Sequence, residues 1–215
     1  MSGRPDAGIA PRFLSLIRQE RLAELRMLDV GCGWGRLALA FAAETRHVVG
    51  LDRDAGLIAE AGRRAAARGL TNAEFHEADV DRVDYAPYAP GLVVSHLFAS
   101  DAMIERAAAA LPRDGVLALV AFHVDQWRET GRVSRFAYDE TRMAETLGRA
   151  SFAVEALEVD REERRFASVE EGLAAAVGLQ DRWKTDGRWY RYIAFLEEGG
   201  RTLTRSHLLV KARRR

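Results

Sequence analysis

The chain has 215 residues, 48% of them apolar, which is enough for one sizeable core and predicts a single domain over 1–215. Its 32 Lys and Arg balance 32 Asp and Glu, so no field of one sign draws the molecule to nucleic acid or to a membrane, and neither partner is expected. The lone cysteine, Cys32, excludes an intrachain disulfide and a multi-cysteine metal site, no apolar run approaches a membrane span, and the N-terminus lacks a signal-peptide core; a cytoplasmic protein is expected.

Residues 1–10 read as a loose arm, and 11–25 carry Phe13, Leu14, Ile17, Leu22 and Leu25 at roughly helical spacing. Short apolar strands then alternate with helices. Strands are expected at 27–30, 47–51, 73–78, 91–96 and 115–122, and helices at 35–44 and 54–68 and around the stripe Met103, Ile104, Ala107, Leu111. Past residue 123 a polar stretch leads to a helix at 139–149, a strand at 152–159, a helix at 168–179 opened by the capping-box pair Ser168 and Glu171, and a final strand at 202–212. The pattern predicts an α/β fold: a doubly wound, mostly parallel seven-stranded sheet with an antiparallel C-terminal strand.

Between the first strand and the first helix of that pattern stands "MLDVGCGWGR", residues 27–36, with glycine at 31, 33 and 35. Missing Cβ atoms allow left-handed backbone and close approach of a ligand, and a following helix start offers N–H groups to an anion. The dinucleotide fingerprint requires Gly or Ala at position 36, where Arg36 stands, so the turn does not match a nicotinamide-binding site. Asp52 closes the second strand about twenty residues later, where a carboxylate can accept hydrogen bonds from both hydroxyls of a ribose.

With its leading acid the stretch is D-x-G-x-G-x-G, and over Leu28–Arg36 it resembles the first motif of the class I S-adenosylmethionine-dependent methyltransferases. The resemblance implies a Rossmann-like methyltransferase fold and S-adenosyl-L-methionine as cofactor, with S-adenosyl-L-homocysteine as product. It implies that Asp29, Gly31, Cys32 and Gly33 form the loop around the methionine portion, with Cys32 packing rather than acting as a nucleophile. Asp52 would meet the ribose, with Arg53 beside it among the cofactor-binding residues, Asp79 the adenine amino group and the Val80 amide the ring, and Ser95 and His96 would border the cofactor from the fourth strand. The stretch after that strand, "SHLFAS", lacks the Asn/Asp-Pro-Pro-Tyr/Phe of adenine and glutamine methyltransferases and the Pro-Cys of cytosine-C5 enzymes. What remains is a small-molecule acceptor methylated on O, N or C; an RNA or protein acceptor is the alternative, and a nicotinamide-dependent oxidoreductase a more distant one.

His96 and His123 end the fourth and fifth strands and are candidate general bases, against the plainer reading of histidines satisfied by their surroundings. Trp127, Phe136 and Tyr138 read equally as an aromatic lid or as core. In "RWKTDGRWYRYIAF", residues 182–195, arginines mix with aromatics as on a nucleic-acid platform, but Trp189, Tyr192, Ile193 and Leu196 have helical spacing and favour a packed helix with Arg188 and Arg191 outside. "KARRR" at 211–215 reads as a solvated tail.

Overall fold

The computed structural model describes residues 8–215, so most of the expected N-terminal arm lies outside the described residues. The strands are β1 (Arg26–Val30), β2 (His47–Asp52), β3 (Ala73–Glu77), β4 (Leu92–His96), β5 (Val116–His123), β6 (Ala137–Tyr138), β7 (Phe152–Arg165) and β8 (Thr202–Arg214). The helices are α1 (Pro11–Ile17), α2 (Arg36–Phe41), α3 (Ala55–Ala67), α4 (Asp101–Ala110), α5 (Glu140–Arg149), α6 (Val169–Ala176), α7 (Gln180–Lys184) and α8 (Arg188–Glu197). They form a doubly wound sheet in the order β3-β2-β1-β4-β5-β8-β7. The strands β1 to β5 pair in parallel and β8 runs antiparallel to both β5 and β7. One further strand, β6, pairs off this path with the end of β5; its two residues leave no periodicity for the sequence to signal.

Strand alternation sorts the core onto the two faces. Leu28 and Val30 of β1 join Val93, Met103, Ile104, Met143 and Leu147 under α4 and α5, while Met27 joins Val48, Val94, Phe13, Ile17, Leu37 and Phe41 under α1 and α2. The segment expected to be helical over 11–25 is broken into α1 and a short 3-10 turn at Leu22–Glu24. The break falls at Arg21, whose ψ of 67° lies outside the helical region and opens the 3-10 turn.

The hairpin β7–β8 does most to shape the carboxyl edge of the sheet. β8 pairs with β5 only as far as Phe122 opposite His207, yet the hairpin continues to Arg165 opposite Thr202. This overhang carries a third cluster, Trp183, Trp189, Tyr192 and Leu196 packed on Leu203, which gives α6, α7 and α8 their footing. Arg188 is buried within it, ion-paired to Asp186 and lying over the Trp127 ring, contrary to its expected outward position. Its stem covers apolar surface while Asp186 meets the charge. "KARRR" is likewise not a solvated tail: four of its residues complete β8, where Lys211 is buried against Glu20 at 2.5 Å and Arg213 pairs with Glu20 and Glu155. Among the described residues no helix is long and apolar enough to cross a membrane.

Candidate active site

The three glycines of the turn all have positive φ, 69° at Gly31, 54° at Gly33 and 81° at Gly35, so the backbone needs glycine-like freedom throughout. Their surroundings differ. A Cβ on Gly35 would stand 3.0 Å from the Phe75 ring and 3.2 Å from Ala61, and one on Gly31 would stand 3.3 Å from Phe98. At Gly33 no atom lies within 4 Å of that position. Gly35 therefore lets α2 close on its neighbours, whereas Gly33 keeps an open cradle.

Two carboxylates hold the turn. Asp29 is buried and its Oδ2 accepts from the Ala38 N–H at 2.9 Å; burial raises its carboxyl to about 7, against the Ala38 hydrogen bond and with the Asp52 charge adding to the rise. Of the donors expected at the start of α2, that of Ala38 is thus already taken by the protein. Asp52 Oδ2 accepts from Gly33 N–H at 2.8 Å and Oδ1 from Asp54 N–H at 3.0 Å. Each oxygen keeps a further lone pair.

Two cavities meet at this turn. The first, about 250 Å³, is lined by Gly31, Asp52, Arg53, Asp79, Val80 and Phe98 among others; the second, about 160 Å³, by Asp29, Gly31, Cys32, Gly33, Arg36 and His96 among others. Gly31 and Leu97 belong to both. Nine of the eleven residues expected at the site line these walls; Ser95 and His123 are not brought there.

Ser95 is wholly buried behind the wall, its hydroxyl 2.8 Å from the Val30 carbonyl and 2.9 Å from that of Phe98. It fastens the Leu97–Phe98 turn to β1 and touches no cavity at the glycine loop, which corrects its expected place beside a cofactor. His123 is corrected for a reason of strand geometry. His96 lies opposite Val120, and alternation along β5 puts His123 on the other face. There Nδ1 accepts from Asp125 N–H at 3.2 Å and Nε2 lies 3.2 Å from Glu140, so both ring nitrogens are engaged.

His96 shares its face with His207, and both border a further cavity of about 440 Å³ beside Gly8–Arg12. Burial, then the charge of Arg36 and His207, pushes His96 down to about 4; burial and Arg205, opposed by Asp160, do the same to His207. Cys32 is buried and its thiol is pushed far up by burial and then by Asp29 and Asp52, so it stays protonated. The aromatic trio divides: Tyr138 is core, with its hydroxyl 2.6 Å from Asp101, Phe136 is exposed at the rim of the 250 Å³ cavity, and Trp127 packs between Phe122 and Trp183.

Sequence reading missed Leu97, whose φ of 63° is unusual for a branched residue and which borders both cavities at the turn. No spacing signals it, because its conformation is set by the Leu97 N–H to Val120 carbonyl bond and by Ser95 beneath. It also missed Arg36 as a wall residue, with the guanidinium 5.0 Å from the Trp34 ring centre and no ion pair among the described residues.

The open cradle at Gly33, acceptor oxygens at Asp52 and the cavity beyond it at Asp79 and Val80 fit an adenosyl group carrying a small amino-acid tail. Residues 27–115 match the family described as a methyltransferase domain. Residues 27–115, which hold the glycine turn, Asp52 and Asp79, therefore carry a methyltransferase domain, with S-adenosylmethionine as the methyl donor that such a domain uses and S-adenosylhomocysteine as its product.

Among solved structures, the fold is similar to the YcgJ protein of Bacillus subtilis, with a TM-score of 0.73 at 16% identity over 96% of this chain and 99% of that one. It is also similar to an S-adenosylmethionine-dependent methyltransferase of Mesorhizobium loti, with a TM-score of 0.63 at 20% identity over 99% and 100% of the two chains. The [4+2]-cyclase SpnF shares the fold too, at TM-score 0.66 and 22% identity over 94% of this chain and 80% of that one, so the fold alone does not specify a reaction. In sequence, the chain is 49% identical over 55 residues to the 23S rRNA (uracil(1939)-C(5))-methyltransferase RlmD of Xanthomonas euvesicatoria. That match spans 26% of this chain and only 12% of RlmD.

Proposed function

We propose that the chain, acting as one domain, transfers a methyl group from S-adenosylmethionine to an O, N or C atom of a small molecule. The observation that carries this reading is the Asp52–Gly33 pairing, which sets a ribose-accepting carboxylate against a turn with open space above it. In this reading Asp52 receives the ribose hydroxyls, with Arg53 at the rim, while Asp79 and the Val80 amide meet the adenine. Gly31, Cys32 and Gly33 line the amino-acid end, and Arg36, unpaired among the described residues, meets its carboxylate. Bound there, S-adenosylmethionine supplies a methyl group already made electrophilic by its sulfonium. The protein's part is alignment, which can supply roughly 7–11 kcal/mol of barrier lowering. Where the acceptor must lose a proton, His96 is the neutral group at the edge of the cradle and takes it.

An RNA acceptor is the second reading. It is supported by the local similarity to the 23S rRNA enzymes, which weighs against the expectation drawn from overall charge that nucleic acid is not a partner. The balanced charge and the modest cavity volumes favour the small molecule.

Thermal unfolding with S-adenosylhomocysteine and, separately, with NAD tests the cofactor. At about a hundred times its Kd a ligand adds roughly 2.7 kcal/mol, or about 5–10 °C here. A rise with S-adenosylhomocysteine alone is expected; a rise with NAD alone would replace this reading with an oxidoreductase.

A further inference from the structure

The largest of these cavities, about 510 Å³, lies under the β7–β8 overhang rather than at the glycine turn. It shares Leu97, Phe122 and Arg182 with the 250 Å³ cavity, so the two are neighbours across a common wall. Its volume is that of a small-molecule site.

Its walls are of two kinds. Phe122, Trp127, Leu179 and Leu203 are apolar. Trp127 is held rigidly: its N–H donates to the Thr204 carbonyl at 3.0 Å, Trp183 meets its ring edge-on at 5.2 Å between centres, and the Arg188 guanidinium lies over it. Its backbone is left-handed, with φ 57°, a conformation that a tryptophan adopts only when its surroundings hold it there.

The polar part of the lining offers donors. Arg205 is committed to Asp160 and Glu162, which accounts for the one acid on the wall, Glu162. Arg164 and Arg182 have no ion pair among the described residues, which leaves the cavity two uncompensated cations. Gln126 is only 6% exposed, and its carboxamide oxygen accepts from Ser206 N–H at 2.5 Å. A backbone N–H can be met only by the oxygen, so the amide nitrogen is the atom left for a ligand.

We propose that this cavity is the acceptor subsite and that it takes a planar, apolar molecule bearing a carboxylate or phosphate. The ring system lies against Trp127 and Phe122, and the anion is met by Arg182 and Arg164 with Gln126 donating. The proposal rests on the methyltransferase reading for its word "acceptor", but the chemistry of the cavity stands apart from it.

The test is calorimetric titration of the full chain, saturated with S-adenosylhomocysteine, using 2-naphthoate and its neutral counterpart 2-naphthamide. Naphthoate should bind at least about tenfold more tightly than the amide, and Arg164→Gln/Arg182→Gln should erase that difference. Leu179→Trp, which fills the cavity from a half-buried position away from the glycine turn, should abolish naphthoate binding while S-adenosylhomocysteine still binds, and that retained binding reports an intact fold. Equal affinity for acid and amide, or naphthoate binding indifferent to both variants, overturns the proposal. So does absence of naphthoate binding, and decauridylate binding lost in the same variants would then assign the cavity to RNA. If the wild type binds no S-adenosylhomocysteine, the methyltransferase reading fails, and naphthoate titrated alone still decides the cavity.

Discussion

Asp52 Oδ2 and the Gly33 amide, 19 positions apart in the chain, are joined by a hydrogen bond of 2.8 Å that ties the end of β2 to the open glycine of the turn. One carboxylate thus shapes the cradle and offers its remaining lone pairs across it. Asp52→Ala is expected to weaken S-adenosylhomocysteine binding by about 1.5–3 kcal/mol, the scale of a charge-assisted hydrogen bond. Calorimetry reads this directly, and an unchanged Kd would remove Asp52 from the site.

The neighbouring glycines separate folding from binding. Gly35→Ala should destabilise the protein, since its Cβ would press on Phe75 and Ala61 in an already unfavourable left-handed backbone. Gly33→Ala faces open space and should cost only about 1–2 kcal/mol of stability while blocking the cradle. Chemical denaturation beside ligand titration distinguishes them; equal stability losses with intact binding would refute the division.

Asp29 should make its own contribution to pH dependence. Its folded carboxyl, raised to about 7 from 3.8, holds a proton that the unfolded chain has released, so its stabilising contribution is full below about 4 and is lost as pH rises to 7. Asp29→Asn abolishes that titration, and its unfolding midpoint relative to wild type should climb between pH 4 and 7, by about 2–4 °C for each kcal/mol. A difference that stays flat across this range contradicts the assignment.

The histidine pair acts with the opposite sign. With folded values near 4 against 6.5, His96 and His207 stay neutral where the unfolded chain takes up protons, so stability present above 6.5 is lost as pH falls toward 4. His96→Asn/His207→Asn should unfold with a shallower loss on acidification than wild type. An equally steep loss in the double variant would show that other groups carry it.

Much of this molecule can be read along the chain. Alternating apolar runs fix the order of strands and helices, and the D-x-G-x-G-x-G turn with Asp52 and Asp79 at the next strand ends marks the walls of the cavities at the turn, because these signals are local and periodic. The balanced charge excludes a global field but says nothing about where unpaired cations gather. Ser95 and His123 illustrate the limit: both stand at strand ends, yet one ties down a turn from behind, and alternation turns the other to the far face.

The cavity under the β7–β8 overhang was decided by tertiary structure alone. The overhang of β7–β8 beyond β5 depends on strand register, Leu97 owes its backbone to Val120 and Ser95, and Trp127 owes its orientation to Thr204, Trp183 and Arg188. Arg182 and Gln126 become neighbours across one cavity only when the hairpin and α7 fold over the sheet edge. A chain encodes such long-range contacts through the fit of whole surfaces, which no short spacing of residue types records.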